Sequence, residues 1–134
     1  MCRILWNVTS TKLDYIENKG HTIIDTIDII KRARGLLDNK KGENVVILDV
    51  RTLSAVTDFH IICTGNNGRH LKALIDDCDK SLAAEGTKHY RLSGTPESGW
   101  IILDYMDFVV HVFSHAAREH YALETLWKDA PRIT

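Results

Sequence analysis

The side chains best suited to chemistry are two closely spaced carboxylates, a group of histidines and two cysteines. Asp77-Cys78-Asp79 sets two carboxylates two residues apart, the spacing by which nucleotidyl transfer holds Mg²⁺ on a strand. Here the surrounding pattern is helical, and helical positions i and i+2 point to different sides, so the two cannot share one metal. The pair reads as a solvated helix face. His111, His115 and His120 crowd the last third of the chain, near Asp104 and Asp107. A helical zinc site wants two histidines at i and i+4 on one face. His111 instead lies in the alternating run Val109-Val110-His111-Val112-Phe113, and His115 falls where that strand meets a helix. Convergence on a metal is not expected. Cys63 sits in an apolar strand and Cys78 on the buried stripe of a helix, so both read as small core residues rather than nucleophiles. Gly65-Asn66-Asn67-Gly68 stands between a strand and a helix, where a phosphate could be cradled. It lacks the glycine fingerprint and the following Lys-Ser/Thr, so a plain turn is expected. No catalytic residue, cofactor site or metal site emerges.

The elements that must carry these residues follow from periodicity. From Thr22 onward Ile23, Ile27, Ile30, Arg34 and Leu37 recur at helical steps, with Thr22 and Asp25 as a capping signature. Val45 to Val50 and Phe59 to Thr64 are near-continuous apolar runs that suit strands covered on both faces. Leu71, Leu74, Ile75, Cys78 and Leu82 define a second helix, stopped at Gly86. Short strands are expected at His89 to Leu92, Trp100 to Tyr105 and Phe108 to Phe113, the last two joined as a hairpin at Met106-Asp107. Ser114 can cap a final helix with Ala117, Tyr121, Leu123, Leu126 and Trp127 as its apolar positions. The sum is an α/β fold of the α+β type: a mixed sheet of about five strands between helices. Residues 1–20 read as an N-terminal extension and residues 21–134 as one domain.

Composition narrows the function classes. The 134 residues carry 17 Lys+Arg against 18 Asp+Glu, a formal net charge of −1, with 44% hydrophobic residues. That balance suits an ordinary globular domain and argues against polybasic nucleic-acid binding. No apolar run reaches the ~20 residues that a membrane span needs. Three cysteines without CxxC spacing point to a reducing compartment rather than a disulfide framework.

What remains is an aromatic and acidic group between residues 100 and 127: Trp100, Tyr105, Tyr121 and Trp127, with Asp104, Asp107 and Glu124 among them. Tyr and Trp anchor interfaces through large area at low entropic cost. Alternation puts Trp100, Ile102 and Asp104 on one strand face and Ile101, Leu103 and Tyr105 on the other. One of these faces is a candidate binding surface.

These residues also carry a resemblance. Asp49-Val50-Arg51 followed by Thr57-Asp58-Phe59-His60-Ile61-Ile62-Cys63-Thr64-Gly65 is similar to the signature of the Iojap/RsfS family of ribosomal silencing factors. Trp100 to Tyr105, Asp107 to Phe113 and Arg118 to Trp127 resemble the rest of it, so the likeness spans about residues 22 to 130 in collinear order. It implies a nucleotidyltransferase-like fold without the catalytic carboxylates, and a factor that is not an enzyme and needs no cofactor. It further implies binding to the large ribosomal subunit through its fourteenth ribosomal protein, which blocks small-subunit docking and represses translation. The family's tryptophan-led strand and acidic turn carry the partner-binding role over to Trp100, Leu103, Tyr105 and Asp107. Little direct nucleic-acid contact is expected, and Asp104, Asp107 and Glu124 would pair with basic side chains of the partner. A homodimer on the same hairpin is a further expectation, and the setting implied is a bacterial cytoplasm, with an organelle as the alternative. A metal-dependent nucleotidyltransferase-like enzyme is the competing function. The chain departs from the family in having Met106 where glycine is usual, Asn66-Asn67-Gly68 where Thr-Ser-like residues stand, and Ser93 where an acidic residue often precedes the glycine. A side chain at Met106 must avoid positive φ or bear the strain.

Overall fold

The computed structural model describes residues 23–134; the extension expected at 1–20 and the cap expected at Thr22 lie outside them. The elements in order are α1 (Ile23–Asn39), β1 (Glu43–Asp49), β2 (Phe59–Gly65), α2 (Gly68–Ala84), β3 (Arg91–Thr95), β4 (Trp100–Asp104), β5 (Phe108–Ser114), α3 (His115–Tyr121) and α4 (Leu123–Leu126). The strands form one five-stranded sheet in the order β1-β2-β5-β4-β3. β2 and β5 pair in parallel, with Phe59 opposite Phe108 and Gly65 opposite Ser114, and the other neighbours are antiparallel. The expected mixed sheet is present.

Burial explains the strand sequences. β2 and β5 are central, so their apolar runs are covered on both faces. On one face Ile47, Phe59, Ile61, Cys63, Ile101, Leu103, Val110 and Val112 pack against α1 and α2. The stripe expected on α2 (Leu71, Leu74, Ile75, Cys78, Leu82) is the set it buries. Asn67 caps this helix by accepting from the His70 N–H at 2.8 Å, so the Asn66-Asn67 loop serves as a helix start. Gly86, at φ +96°, sits just beyond its end.

The second face is covered only in part. Leu48, Val50, Ile62 and Phe113 form a smaller cluster with Ala117 and Ala130, against which Trp100, Leu123 and Trp127 pack. Two expectations shift here. β3 runs from Arg91 to Thr95 rather than from His89 to Leu92, and His89 instead turns its side chain to Asp79 at 2.9 Å. The last helix breaks at Ala122, which adopts φ +44°. Arg118 spans the break to Glu124 through Nε at 2.9 Å and Nη2 at 3.1 Å, and its Nη1 reaches Thr64 Oγ1 at 2.8 Å. The kink seats Leu123 and Trp127 on the sheet and leaves Tyr121 and Leu126 at 49% and 70% exposure.

Both sheet edges are distinct. Residues 131–134 run along β1: the Pro131 carbonyl accepts from the Asp49 N–H, the Ile133 N–H reaches the Ile47 carbonyl, and Leu48 pairs with Arg132. Arg34 on α1 ties this strap down by donating to the Ile133 and Thr134 carbonyls at 3.1 and 2.8 Å. β3 forms the other edge and is largely exposed.

Candidate interaction surface

The Asp49-Val50-Arg51 start of the motif is a local clamp. The Asp49 carboxylate accepts from the Arg51 side chain at 2.9 and 2.6 Å and from the Arg51 N–H at 3.1 Å. Those hydrogen bonds hold the Asp49 carboxyl below its usual range, and the guanidinium lies 5.2 Å over the Phe59 ring. The Asp49-Val50-Arg51 segment thus closes the start of β2, where the Val50 N–H also bonds the Asp58 carbonyl.

The β4–β5 hairpin turns on Met106. This residue takes the positive-φ option, at +75°, and is buried at 3% exposure. Its N–H is held by the Asp104 carboxylate at 2.8 Å and its carbonyl by the Thr57 hydroxyl at 3.0 Å. The strain of a side chain in the left-handed region is therefore offset by burial and by two hydrogen bonds. Gly94 faces β4 at φ +85°, and a Cβ there would collide with the Trp100 carbonyl.

Of the four residues singled out for partner binding, the structure leaves one half-exposed. Leu103 is fully buried, Tyr105 is 2% exposed and Asp107 8%. The reason is the pleat: Leu103 and Tyr105 point to the α1–α2 side, into the main core. The Tyr105 ring stacks on Phe108 at 4.7 Å, and its hydroxyl donates to Asp79 at 2.9 Å. Asp79, expected on a solvated face, is thereby a fastening point shared by Tyr105 and His89, 27% exposed in its side chain. Asp107 closes the turn through its backbone, its N–H on the Tyr105 carbonyl and its own carbonyl on the Asp58 N–H. These three shape the hairpin from beneath.

Trp100 belongs to the opposite face. Its indole is half-buried, 5.0 Å from the Phe113 ring and 4.6 Å from Tyr121. Beside it Ile102, Asp104 and Val109 are partly exposed, with Arg91 and Ser93 across on β3. This is the part of the sheet that α3 and α4 leave open. His111, directly opposite Ile102, is 6% exposed and contacts both Trp100 and His60. His115 stands apart, near Asn66 and Glu43. No local pattern singles out His60: its neighbourhood with His111 depends on the parallel register of β2 and β5.

Comparison with known proteins decides the family. The model of the family described as "Ribosomal silencing factor during starvation" matches residues 23–134. The chain belongs to this family. A ribosomal silencing factor of Halalkalibacterium halodurans is 36% identical over 106 residues, 79% of this chain and 91% of that protein. A crystal structure of a Chromobacterium violaceum protein superposes with a TM-score of 0.73 at 32% identity, covering 75% of this chain and 84% of that one. A more distant mouse relative, 26% identical over 69% of this chain and 42% of its own length, is named for mitochondrial assembly of the ribosomal large subunit. The resemblance carried by the Asp49 to Gly65 and Trp100 to Trp127 segments is thus established at the family level.

Proposed function

We propose that this silencing factor binds the large ribosomal subunit through its fourteenth ribosomal protein and blocks docking of the small subunit, repressing translation without chemistry of its own. The observation that carries this reading is the half-buried Trp100 on a sheet face left open by the C-terminal helices. Large aromatic side chains held rigidly at a partly apolar surface are the groups that dominate protein–protein affinity. A net charge of −1 suits a grip on a basic protein better than a grip on RNA. Trp100 makes the contact; Leu103, Tyr105 and Asp107 set the shape of the hairpin that presents it. Asp104, on the same face, offers a carboxylate to a basic partner and steers association.

Among the described residues no helix is long and apolar enough to cross a membrane. A bacterial cytoplasm is the setting proposed, and the mitochondrial relative makes an organelle the alternative. A second copy of the chain would compete for the same face, which light scattering reads as dimerisation suppressed by large subunits.

The test is co-sedimentation with purified large subunits and with intact ribosomes. Binding to free large subunits, exclusion from joined ribosomes and a shallow salt dependence are expected. Undiminished binding by Trp100→Ala would refute the surface, and a steep salt slope would replace the protein partner with RNA.

A further inference from the structure

Trp100 is not held by packing alone. Its Nε1–H donates to His111 Nδ1 at 3.2 Å, and His111 Nε2 lies 3.0 Å from His60 Nδ1. An indole N–H can only donate, so His111 Nδ1 must carry a lone pair and the His111 proton must reside on Nε2. That proton then points at His60 Nδ1, which must accept, leaving the His60 proton on its own Nε2. One placement of protons satisfies the whole chain, and it requires both rings to be neutral. The far end rests on the C-terminal segment, with the His60 ring 5.6 Å from Trp127.

Burying two imidazoles is costly unless each is hydrogen-bonded, and two apolar residues would fill this space without that demand. What the relay adds is the orientation of one indole. We propose that His111, backed by His60, is a positioning residue: it turns the Trp100 N–H into the sheet, so that a docking partner meets only the carbon edge of the ring. This deepens the docking reading above and rests on it. It also identifies the contact as apolar or cation–π in kind, with no hydrogen bond from the indole to the partner.

The charges around the relay leave it undisturbed near neutral pH. On β2 the titratable neighbour is His60 itself, and on β4 it is Asp104, engaged with the Met106 N–H and 3.8 Å from Arg91. On the covering segment the neighbours are Tyr121 and Trp127. Burial draws His60 down to about 4 and His111 to about 3. Trp100 presentation should therefore be constant from pH 8 to about pH 5.5.

Two measurements on the full chain test this. Long-range ¹H–¹⁵N spectra of the wild type should show both imidazoles neutral with their protons on Nε2; a proton on His111 Nδ1 overturns the relay outright. In a Trp6→Phe, Trp127→Phe background, acrylamide quenching reads Trp100 alone. His111→Phe should raise its accessibility and weaken large-subunit binding about tenfold, the worth of one hydrogen bond. His111→Asn, whose side-chain oxygen can replace Nδ1 as acceptor, should stay within about threefold of the wild type. Equal quenching and binding in His111→Phe and the wild type would overturn the proposal. If Trp100→Ala binds as well as the wild type while the spectra show the relay, the docking surface fails and the relay stands.

Discussion

At the scale of single residues, the proposed docking surface predicts that Leu103 and Trp100 separate stability from recognition. Leu103 is completely buried, so Leu103→Ala should cost about 3 kcal/mol of stability in urea denaturation. Any binding loss in that variant should disappear under conditions where it is folded. Trp100→Ala, at a half-exposed position, should lose binding with a smaller change in stability. The histidine pair predicts a pH dependence. Both folded-state values, about 4 for His60 and about 3 for His111, lie below the ~6.5 of an unfolded histidine. Between these limits the unfolded chain binds more protons, so stability is constant above pH ~6.5 and falls as the pH drops toward 4. A loss of about 3 kcal/mol from each ring by pH 4 is expected, and replacing both histidines by Phe should flatten that part of the profile. Little of this was legible beforehand. Strand alternation placed Trp100 and Leu103 on opposite faces correctly, but which face the helices would cover depends on tertiary packing. The family likeness nominated Leu103 and Tyr105 because they share a motif with Trp100, and motif membership does not tell which of its residues the core buries.

At the scale of elements, local chemistry was most readable where one element decides its own ends. The buried stripe of α2 follows from 3.6-residue periodicity, and its stop at Gly86 from a left-handed residue beyond the helix. The break between α3 and α4 was not readable, because Ala122 favours helix and its φ of +44° is imposed from outside. Arg118 and Glu124 impose it, the guanidinium holding the Glu124 carboxyl below its usual range. Ala122→Gly should therefore stabilise the protein by about 0.5–1 kcal/mol, seen as a raised Tm. Glu124→Gln should do the opposite and loosen Trp127, which a shift in tryptophan emission would report. Gly94→Ala should be among the most damaging single changes on β3, since the new methyl would meet the Trp100 carbonyl.

At the scale of the whole molecule, the two sheet edges differ in protection. The strap at Pro131 to Thr134 covers β1 with backbone hydrogen bonds and an anchor from Arg34. Deleting residues 131–134 should uncover an apolar edge and give concentration-dependent association in sedimentation velocity, with Arg34→Ala a milder version. The α+β class and four of the five strands were legible in the sequence, since their apolar runs mark them, whereas the exposed β3 at Arg91–Thr95 overlaps the expected His89 to Leu92 at two residues only. The order β1-β2-β5-β4-β3 was not, because strand neighbours far apart in the chain leave no local trace. That order has a kinetic consequence. The parallel pairing of Phe59 with Phe108 joins residues separated by α2, β3 and β4, so the central seam of the sheet can close only after all of them have been made. A chain interrupted before Phe108 would hold β1 and β2 as a lone hairpin, marginal in water and open along β2. Folding should accordingly be slow for a domain of this size, and partial chains should be recovered as aggregates or proteolytic fragments rather than as a smaller working factor.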